Sequence, residues 1–417
     1  MTRTFHAFRS YNYRLFWLGQ LVSLTGTWMQ TIGQSWLVLQ LTGSPLAVGI
    51  VTALQTLPIL LFTLFGGVFA DRVPKRKFLL LTQVISALQA LILGVLVYTG
   101  KVQLWEVYVL ALILGVINAF DNPTRQAFVV ELVGRDDLPN AVALNSSLFN
   151  AARIIGPAVG GVLIAVVGIA TAFFLNAASF IAPIVALLLM RPEQFFNVPT
   201  PVRGNVFRQI GEGLSFVRHT VPAFIVVIIM AVLGTFGYNF SVTLPLIAEF
   251  VLHTSAAGFG LLTSFMGLGS LIGALLLANR SQATFPLLLG SSVLFAIFLA
   301  AVALSSVLPV TAVLLILLGF ASISYTATSN TLLQLNAPDH LRGRVMSIYF
   351  LLFAGSTPIG GFITGWLANR IGVSETLLIE AAICFVGVLV GIRYYVAHRE
   401  QIPAAQTARL MRAPGGK

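Results

Sequence analysis

Twelve apolar runs follow one another along the chain, at roughly 13–40, 46–69, 78–99, 104–124, 140–166 and 170–190, then 222–247, 256–278, 285–305, 309–333, 343–367 and 374–396. A helix rises 1.5 Å per residue, so about 20 residues cross a hydrocarbon core of about 30 Å, whereas a barrel strand needs only about 10. Lipid offers backbone N–H and C=O groups no partners, and a run of this length satisfies them within itself only as a helix. The pattern predicts an all-α integral membrane protein with twelve transmembrane helices.

Composition strengthens this picture. Of the 417 residues, 57% are hydrophobic and 9% charged, with a mean hydropathy of +0.93. A soluble domain carries about 25% charged residues because it must present a solvated surface. The net charge of +11 does not point to nucleic acid, because the basic residues are spread over short connections and not gathered on one face. Of the 24 Lys and Arg, all but Lys101, Arg370 and Arg153 fall in the terminal segments and alternate connections. The positive-inside rule places that side, with both termini, in the cytoplasm, which requires an even number of spans. The basic N-terminus (Arg3, Arg9, Arg14) precedes an apolar run too long for a signal-peptide core, so the first helix is expected to remain. Cys384, the single cysteine, allows no intrachain disulfide. The histidines are scattered over termini and connections and no Walker sequence occurs, so no cofactor, metal or catalytic site is expected.

Residues 191–221 turn polar and contain Pro192, Pro199 and Pro201. This stretch reads as a linker between an N-terminal six-helix bundle, 1–190, and a C-terminal one, 222–398, with a basic cytoplasmic tail at 399–417. Within it Val206, Phe207, Ile210, Leu214 and Val217 recur at helical spacing, away from Arg208, Glu212 and Arg218. That spacing predicts a short amphipathic helix at the cytoplasmic interface, a tether or a regulatory element. The halves also resemble each other: Leu41 to Ala53 pairs with Leu252 to Ser264, and Gly134 to Val142 with Ala337 to Val345. Both matches connect corresponding helices of six-helix units, which makes the repeat parallel.

Two motifs carry mechanism. The stretch from Gly67 to Leu79, GVFADRVPKRKFL, ends the second run with a small residue for close helix packing, an acid able to cap a helix, and a basic cluster suited to anionic headgroups. Here the chain resembles the major facilitator superfamily, whose loop reads G-x-L-A-D-R-x-G-R-[RK]-x-x-L. Gly67, Ala70, Asp71, Arg72, Arg76 and Leu79 match, while Phe69, Pro74 and Lys75 depart. The resemblance implies a cytoplasmic latch through Asp71, with Arg125 as a natural partner. The equivalent turn of the second half carries Asn279 before Arg280, so an acidic partner is lacking there. In the fifth run, Ala152 to Gly161 reads ARIIGPAVGG; Pro157 weakens the helix ladder and Gly156, Gly160 and Gly161 admit a neighbouring backbone. This is similar to the superfamily's antiporter signature, found in exporters.

Polar residues inside apolar runs mark candidate substrate or coupling sites. Arg153 lies about fourteen residues into its run, roughly 20 Å deep at 1.5 Å per residue. It is expected to bind an anionic group, or to hold an acid such as Asp121 in a static or switching ion pair. Asp121 and Arg125 stand four apart at the end of the fourth run. Glu249 and Glu380 are further acids, of which Asp121 and then Glu249 are the preferred coupling candidates. By resemblance, helices one, four, seven and ten line the cavity; they carry Gln30, Gln34 and Trp36, then Asn118, then Tyr238 and Asn239, then Tyr325, Asn330 and Gln334. Helix–helix hydrogen bonding is the competing reading for each.

The resemblance spans about residues 10–398 and is strongest to the drug-efflux branch that includes macrolide and enterobactin exporters, on the stretch Asn122 to Pro157. It implies two bundles related by a pseudo-twofold axis in the inner membrane, most simply as a monomer. It further implies export of amphiphilic small molecules by alternating access, usually in exchange for protons. The superfamily's basic residue in helix four has no counterpart between Trp105 and Phe120, which leaves coupling open. A lipid or lysolipid transporter and a non-transporting membrane sensor are the alternatives.

Overall fold

The computed structural model describes residues 3–70, 72–196, 206–278 and 283–400. Every regular element among them is helical. In chain order these are α1 (Tyr11–Thr42), α2 (Pro45–Ala70), α3 (Lys75–Tyr98), α4 (Leu104–Val133), α5 (Leu138–Val167), α6 (Ile169–Ser179), α7 (Ile181–Leu189), α8 (Val206–His219), α9 (Val221–Val232), α10 (Phe240–Leu246), α11 (Ala256–Ala278), α12 (Phe285–Leu304), α13 (Leu308–Asn336), α14 (Asp339–Ala354), α15 (Thr357–Ile371) and α16 (Val373–Ala397). Their ends follow local chemistry. Ser10 caps α1 by accepting from the Tyr13 N–H, and Gly43 closes it at φ +58°, a left-handed conformation that a side chain disfavours. Gln103 and Glu106 form a reciprocal capping box at the start of α4.

Eleven segments among the described residues are long and apolar enough to cross a membrane. The 32-residue α1 is not among them, since glutamines and hydroxyls punctuate its length. Three predicted runs are not single helices. The sixth breaks at Phe180 into α6 and α7. The seventh is α9, a π-turn at Leu233–Gly237, α10 and a second π-turn at Ile247–Val251. The eleventh divides at Gly355–Ser356 into α14 and α15. In contrast, α4 runs nine residues beyond the apolar stretch that predicted it, through Pro123 to Val133. Asp121 and Arg125 are therefore interior to a helix and not at its end.

Close packing divides the chain into two compact units. The first holds Met1–Pro201 together with Ser241–Gly267 and Gly361–Arg370. In it α1 lies against α5, α6 and α7, α2 against α4, and α3 against α6. Small residues set the spacing: a Cβ on Gly115 of α4 would come within 2.6 Å of the Gln55 carbonyl oxygen of α2. Gly161 of α5 meets Gly260 of α11 in the same way, as Gly49 of α2 meets Gly365 of α15. One end is sealed by an aromatic-rich cluster of Tyr13, Phe16, Phe128, Leu132 and Leu187. The N-terminal turn is pinned there, with Ala7 N–H donating to Asn140 Oδ1 at 2.9 Å and His6 Nδ1 contacting Asp137.

The second unit holds Val202–Phe240, Leu268–Gly360 and Ile371–Lys417. α12 packs between α13 and α16, and rings of Tyr238, Phe240, Phe295 and Tyr325 form a chain of edge-to-face contacts. The expected linker helix is present as α8. Glu212 pairs with Arg344 of α14, and Gly213 admits the Arg344 carbonyl and the Ile348 side chain. The helix thus rests on protein along this line. Residues 197–205, the Asn279–Arg280 turn and the tail from 401 lie outside the described residues.

Candidate functional site

A cavity of about 350 Å³ opens inside the first unit. Four helices present polar or aromatic positions to it at helical spacing: Phe16, Gln20, Ser23 and Thr27 of α1, Gln83 and Ser86 of α3, Asn118, Asp121 and Arg125 of α4, and Asn145 and Phe149 of α5. Residues three or four apart share a helix face, so each helix turns polar positions inward, interleaved with Leu24, Leu114, Val129 and Leu148. Trp28 and Phe149 meet across the cavity wall edge to face, with centroids 5.8 Å apart.

Asp121 anchors the polar stripe of α4. Its Oδ2 accepts from both Nε, at 2.9 Å, and Nη2 of Arg125 one turn on, and its Oδ1 accepts from Thr82 Oγ1 at 2.5 Å and Gln83 Nε2 at 3.1 Å. The acid's side chain is 3% exposed and the arginine's 23%. A carboxylate in so dry a place is tolerated only with its charge matched and its lone pairs occupied, and this arrangement does both. Pro123 between them leaves α4 continuous.

The expected ion pair of Arg153 with Asp121 is not formed. Arg125 occupies the acid, and among the described residues Arg153 has no salt bridge or side-chain hydrogen bond. Arg153 is half-buried near the middle of α5, one turn beyond Phe149, and is not among the residues that line the cavity. The expected Arg125–Asp71 pairing falls on Asp71, which is outside the described residues. Gly67 lies within α2, and Arg72 just beyond it is exposed. Arg76 donates to the Leu187 and Leu188 carbonyls at 2.6 and 2.9 Å, closing the end of α7, and Lys75 pairs with Glu131 of α4 at 2.7 Å. The cluster therefore braces helix ends as well as carrying charge. In the antiporter-like segment, Gly156 and Gly160 pack on Trp28 and Met29 of α1, and Pro157 is buried.

The other candidates scatter. Gln30 is buried between Gln89 and Asn176, and Gln34 accepts from Gln55, so both act as struts between helices. Glu249 is exposed in its π-turn. In the second unit, Asn239 is buried and donates to the Thr235 carbonyl at 2.8 Å, and Tyr238 is half-buried against Phe353. Gln334, expected to face inward, is exposed and donates to Asn330 one turn away. The residues that sequence reasoning missed are Gln20, Gln83 and Thr82. All three are polar positions in apolar runs; Thr82 and Gln83 lie on α3, which the resemblance does not place at the cavity, and nothing in the sequence sets Gln20 apart from Gln30 and Gln34 on α1. No group of three His, Cys, Asp or Glu able to hold a metal occurs among the described residues.

Residues 2–414 match the family described as transmembrane secretion effector, MFS_3. The chain is 29% identical to the multidrug efflux pump Tap of Mycolicibacterium fortuitum, covering 86% of this chain and 89% of that protein. It is 26% identical to the staphyloferrin A transporter of Staphylococcus aureus and 22% to macrolide efflux protein A of Streptococcus pyogenes, each over 88% of this chain and 92% of the relative. The fold is that of a bacterial homolog of the human lysosomal transporter Spinster, with TM-score 0.72 at 13% identity over 97% of this chain and 99% of that one.

Proposed function

Because the chain belongs to the transmembrane secretion effector family of the major facilitator superfamily, a family of multi-pass membrane transporters and not enzymes, we propose that it exports amphiphilic small molecules from the cytoplasm in exchange for protons. The observation that carries this reading is the cavity of the first unit, whose wall is part aromatic and part amide and holds one buried acid, Asp121. Such a wall suits a molecule with both an apolar body and a polar head. The substrates in the relatives' names, drugs and a siderophore, support the same class.

Protonation of Asp121 removes the charge that holds Arg125, so the acid is the proposed proton carrier and Arg125 its internal counter-charge. Alternating access comes from residues 1–190 and 222–398 rocking about the linker. The Gly67–Arg76 turn and the Gly156–Gly161 segment act in gating, and Arg153 meets an anionic or strongly polar group beside the cavity. The positive-inside charge distribution supports an inner-membrane orientation with both termini cytoplasmic. Purified protein in liposomes, loaded with a fluorescent amphiphile and given an imposed pH gradient, tests the reading. Gradient-driven flux is expected. Flux without a pH response removes proton antiport, and saturable binding without flux favours a sensor.

A further inference from the structure

We infer that the outer seam between α1 and α7 holds an anionic phospholipid, its phosphate clamped by Arg14 and Arg191. The helices cross at Gly19, where a Cβ would lie 2.8 Å from the Pro183 Cα and 3.2 Å from the Ala186 Cβ. They run antiparallel, because Asn12 at the start of α1 meets Arg191 just past the end of α7. Asn12 Nδ2 donates to the Arg191 carbonyl and its Oδ1 accepts from the Arg191 N–H, both at 2.9 Å. Arg14 stands five residues before Gly19 and Arg191 five after Ala186, so both lie about 7.5 Å from the crossing, towards the same end. Tyr11 gathers them: Cζ of Arg191 is 4.6 Å and Cζ of Arg14 5.9 Å from its ring centroid.

Both arginines are exposed, and neither has a carboxylate partner among the described residues. Glu193, exposed two residues beyond Arg191, pairs with neither. Arg76, on the Leu187 and Leu188 carbonyls, brings a third cation to this end of α7. Like charges held around one ring without a counter-ion favour an anion, and the planar guanidinium fork fits phosphate oxygens two at a time. The apolar surface next to the clamp decides which phosphate. Leu18 and Val22 continue the line of Arg14 along α1, four and eight residues on, and both are exposed. On α7, Val185, Leu188 and Leu189 are exposed just short of Arg191. A free phosphate would use the clamp alone, whereas a lipid covers the clamp with its head and these side chains with its tails. The clamp belongs to the side rich in Lys and Arg, where anionic headgroups are met, and neither arginine lines the cavity.

Dioleoyl phosphatidylglycerol and dioleoyl phosphatidylcholine share tails and phosphate and differ in net charge. Each is titrated onto the full chain in detergent, and bound lipid is counted by native mass spectrometry. Phosphatidylglycerol is expected to bind saturably and about tenfold more tightly than the choline lipid, whose own cation faces the guanidinium groups. Arg14→Gln combined with Arg191→Gln is expected to lose about tenfold of that affinity. Arg135→Gln combined with Arg393→Gln removes the same charge from exposed positions on the same side and is expected to leave it unchanged. Tyr11→Leu, which takes away the ring that gathers the two cations, stands in if the first pair fails to fold, with a several-fold loss expected. Equal binding of the two lipids, or a site variant that holds phosphatidylglycerol as well as the control pair does, overturns the inference. Displacement of the lipid by inorganic phosphate also overturns it, in favour of a soluble anion.

Discussion

Gly161 of α5 and Gly260 of α11 meet backbone to backbone: a Cβ on Gly161 would lie 2.9 Å from the Gly260 Cα and 2.6 Å from the Ala256 carbonyl oxygen. Neither neighbour can rotate away, because both are main chain. Gly161→Val therefore overpacks the crossing at a cost of about 1–3 kcal/mol. We expect a lowered unfolding midpoint in detergent and slowed flux, with a milder effect for Gly161→Ala. An unchanged midpoint for the valine variant would show that α11 moves aside freely.

The Asp121–Arg125 pair behaves asymmetrically towards mutation. Asp121→Asn strands a guanidinium that is 23% exposed, and loss of one partner of a buried pair costs about 3–5 kcal/mol. Asp121→Leu combined with Arg125→Met removes both charges and is expected to recover most of that stability while transport stays lost. Chemical denaturation of the single and double variants measures the cycle. A double variant no more stable than the worse single one contradicts the pairing.

Arg153 gives the opposite expectation. It has no ionic partner among the described residues, so Arg153→Met breaks no salt bridge and removes the cost of a cation in the membrane. The thermal midpoint is expected to hold or rise while transport falls, with Arg153→Lys keeping more activity than Arg153→Met. Normal transport in both variants eliminates a functional role.

Export of an uncharged or anionic molecule in exchange for one proton carried on Asp121 moves net charge in every cycle. Flux should then follow an imposed potassium diffusion potential as well as the pH gradient. Asp121→Asn should abolish the voltage response. Voltage-independent flux in the unmodified protein would require a cationic substrate or a second compensating ion.

Much of the helical architecture is legible in the sequence, because lipid forces long apolar runs to form helices. The breaks are not. The first π-turn of the seventh run holds Gly234 and Gly237 and Pro245 precedes the second, but Pro58 in α2 and Pro157 in α5 lie in helices that stay continuous, so such residues alone do not mark a break. The extension of α4 was hidden for the reverse reason. Asp121, Asn122, Pro123 and Arg125 look like an interfacial turn until Thr82 and Gln83 from another helix supply the acid's remaining bonds. For the cavity, the acid stood out by its charge, whereas the amides had no distinguishing mark. Gln30 and Gln83 are equally polar and equally buried, and only the fold makes one a strut and the other a wall.

The short side chains of α5 have a consequence for where changes in the cavity can originate. Gly156 bears no side chain and does not line the cavity, yet a Cβ there would stand 2.5 Å from the Trp28 Cβ, and Trp28 forms the cavity's aromatic wall. One added methyl group at Gly156 must displace Trp28, and with it part of the cavity wall. Changes in transport can thus arise at a position that does not line the cavity, and a map of substitutions that alter transport should extend into the helix-packing seam behind it.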